Sequence, residues 1–379
     1  MKPLLKLSSA LAVLALSAAP AAAQSDILLQ LRSGNPAGDR MRVDSAGGVV
    51  ALGTLGIGII PASGPGYRMM WMPYFAAFRA GSTDDGGAGA YWDFANVGFF
   101  SWAGGNRTMA KGYSSMVMGE DLTVTGNYST AFGSDTEVTG QYGFAAGDDN
   151  RCSASYCHAV GFTANAAGIA AVSLGYRTTA DADYSMALGY RASTNGRTGA
   201  FVWADASTTD SAEAAANYEF LARASGGFRF RTNSTLTTGC NIAAGTGTMT
   251  CSSSRTLKEG FSEVDGEDVL RRLRSVPVNS WNYIGEQAGV RHMGAFSEDF
   301  YSAFGLGNDR LAISHLDADG VNLAGVKALD ARTTAQAEQI TALQAENAAL
   351  RGDVEQLRRE NAAMAERLRA IEAMLAPRP

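Results

Sequence analysis

Glycine recurs every fourteen residues through the middle of this 379-residue chain, and this spacing constrains the fold more than any other feature. The first series is Gly105, Gly119, Gly133, Gly147, Gly161, Gly175 and Gly189. Halfway between lies a second series, Gly98, Gly112, Gly126, Gly140, Ala154, Gly168, Ala182 and Gly196. A unit of this length cannot bury its own apolar side chains, so successive units must stack. A flexible Gly-rich linker would not keep an apolar register over a hundred residues.

Each repeat contains a short strand that ends near a first-series glycine. Two places before the glycine lies a small residue such as Ala131, and one place before it lies a larger one such as Phe132. Alternate strand residues point to opposite faces, so we predict that the larger residues fill a narrow interior and the small ones form a face of close approach. Stacked strands lie about 4.7 Å apart, so seven coils would extend roughly 33 Å.

Units such as NYSTAFGSDTEVTG at 127–140 resemble the head repeats of YadA-like trimeric autotransporter adhesins, over about residues 99–196. The resemblance implies a left-handed parallel β-roll built side by side from three chains. The number three comes from the resemblance, since the spacing does not set it. Those adhesins end in a membrane anchor, and we expect no transmembrane anchor here.

The first residues have the pattern of an export signal. Residues 1–23 contain a basic start at Lys2 and Lys6, an apolar run too short to span a bilayer, and three alanines before Gln24. We therefore expect a secreted or cell-surface bacterial protein. The net charge of −6 argues against a nucleic-acid partner, and 3 histidines and 4 cysteines leave little for a metal centre, so no metal or cofactor is expected.

The four cysteines are expected to form disulfides, which export permits. Cys240 and Cys251 bracket a segment with Gly-Thr-Gly at its centre, which suits a hairpin turn. Cys152 and Cys157 lie five apart within the repeats and would staple one turn. A thiol nucleophile or a metal site is the alternative, but the chain has no C-x-x-C pair.

A polar motif follows Cys251 and reads Ser252-Ser253-Ser254-Arg255-Thr256-Leu257-Lys258. With the later segments VNSWNY and RHMGAFSEDF, it resembles the C-terminal intramolecular chaperone of phage tailspikes and fibres, the peptidase S74 domain, over about residues 252–330. The family commonly has Asp where this chain has Ser254. The resemblance implies that Ser253 attacks the carbonyl of Ser252, with Lys258 as general base, so that the chain cuts its own Ser252–Ser253 bond. A lysine base must be neutral, which requires burial or a nearby cation such as Arg255.

The last fifty residues carry a heptad pattern that predicts a left-handed coiled coil of two or more helices. The d positions are Leu329, Gln336, Leu343, Leu350, Leu357, Met364 and Ile371. The a positions are Thr333, Ile340, Asn347, Val354, Asn361, Leu368 and Leu375. Asparagine at a also suits dimers, so the heptads alone do not establish a trimer.

Several shorter segments and single residues also carry predictions. Strands are expected in 49–60 and 67–81, and 218–234 reads as a hairpin leading out of the repeats. We interpret His292 as a structural histidine. Asp317, Asp319 and Gly320 lack the other ligands of a calcium loop and are expected to form a turn before a helix.

Together these patterns predict a mainly β homotrimer with a small α+β chaperone and a helical coiled coil. The expected divisions are a signal peptide (1–23), a β-rich region (24–98), head repeats (99–200), a hairpin connector (201–251), the chaperone (252–328) and the coil (329–376). We expect a self-processing structural or adhesive fibre, whose host-surface or glycan ligand the sequence does not identify. The alternatives are the same fibre without cleavage, a glycan-degrading tailspike-like enzyme, and a phage virion fibre, against which the export signal argues.

Overall fold

The computed structural model describes residues 27–34, 37–84 and 90–375, so the predicted export signal lies outside the described residues. The chain divides into two compact units, and the division falls between Ser252 and Ser253. None of the helices in the described ranges is long and apolar enough to cross a membrane.

The described part of the first unit begins with antiparallel strands. Strands β1 (Ile27–Gly34), β2 (Ala37–Asp44) and β3 (Val49–Ala51) form one sheet. Strands β4 (Gly66–Met72) and β5 (Ala77–Thr83) form a hairpin, and β5 then begins a parallel stack. Of the two predicted strand regions, 67–81 is therefore a hairpin. In 49–60 only the first three residues form a strand.

A β-solenoid follows, in which each coil contributes one long and one short strand to two parallel sheets. This confirms the predicted stacking of fourteen-residue repeats. The long strands are β6 (Trp102–Asn106), β8 (Met116–Glu120), β10 (Thr130–Ser134), β12 (Phe144–Asp148), β14 (His158–Phe162), β16 (Val172–Tyr176), β18 (Met186–Tyr190), β20 (Phe201–Ala204) and β22 (Phe220–Arg223). The short strands are β7 (Met109–Ala110), β9 (Thr123–Val124), β11 (Glu137–Val138), β13 (Arg151–Cys152), β15 (Asn165–Ala166), β17 (Thr179–Ala180), β19 (Ala192–Ser193) and β21 (Ala212–Glu213).

The small residues fill the solenoid interior, which reverses our prediction for the two faces. Ala131, Ala145 and their equivalents in neighbouring coils are fully buried, whereas larger residues such as Met118 and Leu174 lie on the outer surface, 41% and 36% exposed. A coil closed by such short strands leaves little interior space, and at the long-strand positions Ala, Val or Ser fills it. The alternation of strand residues correctly assigned the small and the large residues to opposite faces. It did not determine which face is buried.

The solenoid also continues beyond the last regular repeat. Strand β22 pairs in parallel with β20, so 218–234 does not form the predicted hairpin. The strands that leave the solenoid are β23 (Gly227–Arg231), β24 (Gly239–Ala243) and β25 (Met249–Cys251), which form a separate antiparallel sheet.

The second unit is small and contains both helices and strands. It contains helix α1 (Gly266–Leu273), strands β26 (Asn279–Trp281) and β27 (His292–Gly294), and helix α2 (Ser297–Phe304). Helix α3 (His315–Leu375) supplies the long C-terminal segment. Its core joins one buried side chain from each helix, Val269, Phe300 and Val321.

Helix α3 begins earlier than the sequence indicated. Asp317, Asp319 and Gly320 lie within its first turns, so the turn predicted there is wrong. The apolar heptad positions farther along are about half exposed in a single chain, for example Ile340 at 55% and Leu357 at 56%.

Candidate functional site

The residue before the predicted cleavage point is held by the last sheet of the first unit. Strand β25 pairs with β24, and a disulfide joins Cys240 to Cys251 across that pair. Ser252 continues the pairing, because its backbone N–H donates to the Gly239 carbonyl at 2.9 Å and its Oγ accepts from the Gly239 N–H at 3.0 Å. The chain is therefore fixed up to Ser252.

The second predicted disulfide is also present, between Cys152 and Cys157. Both sulfurs lie in the solenoid interior and are fully buried, with 5.6 Å between the two Cα atoms. This bridge closes one coil and lies far along the chain from Ser252. The structure thus leaves no free cysteine among the described residues to serve as a thiol nucleophile.

A short turn brings the two predicted catalytic side chains together. Residues Arg255–Leu257 form one turn of 3₁₀ helix, in which the Leu257 N–H donates to the Ser254 carbonyl at 3.1 Å. Lys258 follows the turn, and its Nζ donates to Ser253 Oγ at 2.7 Å. At the same distance a neutral amine would instead accept the hydroxyl proton, which is the geometry that a serine nucleophile and a lysine base require.

The dyad lies at the surface of the single chain. Ser253 and Lys258 are both exposed, and so is the whole turn between them. Arg255, which we considered as a source of positive field, places its guanidinium over the Phe261 ring at 5.4 Å. A cation over an aromatic ring is attracted to the ring face, so this arginine has a structural contact of its own.

His292 belongs to a separate aromatic and acidic cluster in the second unit. Its Nε2 lies 2.9 Å from a carboxylate oxygen of Glu286, and its ring packs 4.8 Å from the Trp281 ring. The hydrogen bond from His292, with a second from the Tyr283 N–H, holds the pKa of the Glu286 carboxyl below its usual value. These partners agree with our interpretation of His292 as a structural residue.

Sequence reasoning missed one member of the site. Ser254 is the N-cap of the 3₁₀ turn, and its Oγ accepts a hydrogen bond from the Thr256 N–H at 3.3 Å. The available signal was a serine directly before a short turn, since serine is a preferred N-cap residue. The sequence motif itself marks Ser254 only as a departure from the Asp that the family commonly has.

Comparison with known families bears on both units. Residues 253–305 match the family model described as Peptidase_S74, chaperone of endosialidase. The YadA head domain repeat, whose model holds two copies, matches residues 110–136, 125–150 and 166–192. Both predicted resemblances are thereby confirmed. No curated protein and no solved structure matches the chain.

Proposed function

We propose that this protein is a secreted or surface-exposed trimeric fibre, of adhesin type, that processes itself. Its second unit drives assembly of three chains and is then released by cleavage of the Ser252–Ser253 bond. The observation that carries this proposal is the 2.7 Å contact between Lys258 Nζ and Ser253 Oγ, directly after the bond at which the chain divides into its two units. The two matched families, whose members act outside the cell, support the extracellular location.

The outer face of the long-strand sheet supports self-association. Parallel pairing aligns the residues one and three places before each first-series glycine on this face. The exposed or half-buried apolar members are Trp71, Phe78, Trp102, Met116, Met118, Phe132, Phe144, Val160, Val172, Leu174, Met186, Leu188, Phe201, Trp203 and Phe220. Thr130 and His158 interrupt one row of this face, but an exposed surface that is otherwise so largely apolar marks an interaction site in a soluble protein.

Helix α3 supports the same conclusion from the second unit. Residues 333–375 of this helix are all exposed in a single chain, so this part lacks the tertiary packing that provides most helix stability in proteins. The half-exposed apolar stripe of Ile340, Leu343, Leu350, Val354 and Leu357 would be buried by parallel copies of itself. The number of copies, three, comes from the two matched families.

The proposed cleavage is an acyl transfer within the chain. Lys258 takes the hydroxyl proton as Ser253 Oγ bonds to the carbonyl carbon of Ser252. The peptide C–N bond then breaks, and its nitrogen takes up a proton to become the new amino terminus of Ser253. Water hydrolyses the resulting ester, which leaves a carboxylate on Ser252 and restores the Ser253 hydroxyl.

Assembly would control this reaction through the environment of Lys258. The side chain is exposed in the single chain, and water favours the ammonium form of a lysine. Packing of three chains around the turn would remove that water, and burial disfavours the charged form of an amine. We therefore expect cleavage to follow trimer formation, so that only assembled fibres lose the second unit.

The experiment is intact mass spectrometry of the purified full chain together with its Ser253→Ala and Lys258→Met variants. We expect the wild type to yield two products, one ending at Ser252 and one beginning at Ser253. Both variants should stay joined, because one lacks the nucleophile and the other the base. Hydroxylamine added during cleavage should trap the ester as a hydroxamate on Ser252.

Lys327→Met is the matched control, since Lys327 is an exposed lysine of the same unit that lies on α3. This variant should cleave like the wild type. Cleavage that persists in Ser253→Ala would refute the assignment of the nucleophile. A wild-type chain that remains whole as an assembled trimer would refute self-processing and leave an uncleaved fibre.

A further inference from the structure

The turn between Ser253 and Lys258 depends on very few contacts. None of its three residues, Arg255–Leu257, is buried. Its backbone bonds are the Leu257 N–H to the Ser254 carbonyl at 3.1 Å and the Lys258 N–H to the Arg255 carbonyl at 3.2 Å. A single exposed turn of this kind is marginal on its own, because nucleating a helical turn fixes several dihedral angles for one hydrogen bond.

The Ser254 side chain supplies the missing support at the start of the turn. Its Oγ accepts from the Thr256 N–H at 3.3 Å and also lies 2.9 Å from Thr256 Oγ1. The first N–H groups of any helical turn have no partner within the turn, and a capping oxygen satisfies one of them. The hydrogen bond of Lys258 Nζ goes to Ser253 Oγ, whereas the hydrogen bonds of Ser254 Oγ go to Thr256.

The separation of Ser253 and Lys258 follows from whether this turn is formed. In the turn the two side chains meet at 2.7 Å. Five residues in extended conformation span about 17 Å, which would carry the amine out of reach of the hydroxyl. Whatever stabilises the turn therefore stabilises the reactive arrangement.

We propose that Ser254 is a positioning residue for the cleavage reaction. By capping the turn, its side-chain oxygen holds Lys258 at Ser253 without touching the reacting atoms. The inference rests on the proposed self-cleavage. It also accounts for serine at this position, because Asp and Ser are comparable N-cap residues and either can supply the oxygen that the turn requires.

The test compares the full chain with its Ser254→Ala and Ser254→Asp variants. The rate at which full-length chain is lost is measured for each at the plateau of its own pH–rate profile. Ser254→Ala should cleave about fivefold more slowly, which corresponds to about 1 kcal/mol, the usual value of an N-cap. Ser254→Asp should stay within about twofold of the wild type, because a carboxylate caps as a hydroxyl does.

Ser275→Ala is the matched control, since the Ser275 hydroxyl donates to the Arg272 carbonyl at the end of α1, elsewhere in the same unit. It should cleave at the wild-type rate. Two results would overturn the proposal. Either Ser254→Ala cleaves as fast as the wild type, or Ser254→Asp is as slow as Ser254→Ala, which would mean that the hydroxyl itself is required.

A second measurement separates this inference from the proposed function. In the Ser253→Ala background no cleavage is expected, and hydrogen–deuterium exchange of the peptide that covers 252–260 reports the turn directly. Adding Ser254→Ala should speed exchange of this peptide about fivefold, and adding Ser254→Asp should not. Unchanged exchange in both would overturn the capping role, whereas a wild-type chain that never cleaves would overturn the proposed function and leave Ser254 as the cap of the turn without a role in cleavage.

Discussion

At the scale of single residues, the two glycine series differ in why glycine is required. The first-series glycines have φ between +94° and +146°, and a Cβ added to Gly133 would lie 1.9 Å from the Gly147 carbonyl oxygen in the next coil. The second-series glycines are also tight, since a Cβ on Gly126 would lie 1.9 Å from the Gly140 oxygen, but alanine occupies the same row at Ala154 and Ala182. The first-series positions thus require glycine for two reasons: their φ is positive, and the next coil leaves no space for a Cβ atom.

We predict that Gly133→Ala destabilises the solenoid more than Gly126→Ala does. Both variants must move a neighbouring coil, but only Gly133 has left-handed backbone, at φ +109°. That strain adds roughly 1–3 kcal/mol to the cost of substitution. Thermal unfolding of the two variants, followed by circular dichroism, measures the difference. Equal midpoints would mean that the backbone of the first series can relax.

Other residues with unusual backbone were not predictable from the spacing. Tyr128, Tyr142 and Tyr156 each have positive φ at the corner before a long strand, and their rings are stacked about 5 Å apart along the outside of the solenoid. Tyrosine is not a residue that normally indicates left-handed backbone. Its place in the repeat is fixed by the coil geometry, which a sequence pattern does not contain.

At the scale of elements, the ends of the solenoid need their own side chains, because a stack of coils leaves an open interior at each end. At the first end Arg79 is fully buried and donates to the carbonyls of Ser101 and Ala110, and burial lowers its pKa to about 10. Trp92 lies beside this end and donates from Nε1 to the Thr108 carbonyl at 2.8 Å. Neither residue stood out in the sequence.

At the opposite end of the solenoid, Asp205 accepts hydrogen bonds from two nearby serines. Its carboxylate accepts from the N–H and Oγ of Ser225, both at 2.6 Å, and from Ser207 Oγ at 2.7 Å. These hydrogen bonds, those from Ser225 first, hold the pKa of the Asp205 carboxyl far below its ordinary value. The ionised carboxylate of Asp205 therefore connects 205–207 to Ser225, which lies where the chain leaves the last coil.

Because the ionised Asp205 makes these hydrogen bonds, the free energy of unfolding should depend on pH in a definite direction. A carboxyl whose folded pKa is depressed contributes stability above its unfolded pKa, near 3.9, and loses it as the pH falls toward the folded value. We predict that the wild type loses unfolding free energy below about pH 4 more steeply than Asp205→Asn does. Denaturant unfolding between pH 2 and pH 7 measures this. Parallel curves for the two proteins would show that Asp205 does not contribute.

The sequence predicted the solenoid only where its spacing was regular. Fifteen residues separate Gly189 from Ala204, and nineteen separate Ala204 from Arg223, yet these positions are paired in adjacent strands. The longer coils interrupt the fourteen-residue pattern while the pairing continues, which is why the sequence pattern predicts a hairpin over 218–234 instead of a further coil. The Ser253 and Lys258 pair was predictable because one short motif contains both, whereas the cap at Ser254 depended on a turn that has no periodicity.

At the scale of the whole molecule, both units leave apolar surface unpaired in a single chain. In the first unit this is the outer face of the long strands, which includes Leu174 and Trp203, and in the second it is the stripe on α3. The two surfaces have different periods, two along a strand and seven along the helix. One trimer would bury both, with the helical unit gathering three chains and the solenoid faces then closing against one another.

The location of the solenoid interface can be tested with one charge on each sheet. Leu174→Glu places a carboxylate on the long-strand face, and Thr179→Glu places the same charge on the short-strand sheet of the same coil, where Thr179 is half-buried. In an isolated solenoid both carboxylates would reach water, and the two variants would have similar midpoints. In the proposed trimer only the first charge would be buried without a partner, which costs about 3–5 kcal/mol.

We predict that Leu174→Glu lowers the thermal midpoint of the full chain by roughly 6–20 °C and that Thr179→Glu changes it little. Both are made in the Ser253→Ala background, so that the coiled coil stays attached and the number of chains is held constant. Circular dichroism at a β-sheet wavelength follows the solenoid, and light scattering reports the assembly. Equal midpoints for the two variants would place the interface elsewhere on the solenoid and would leave the coil alone to hold the chains together.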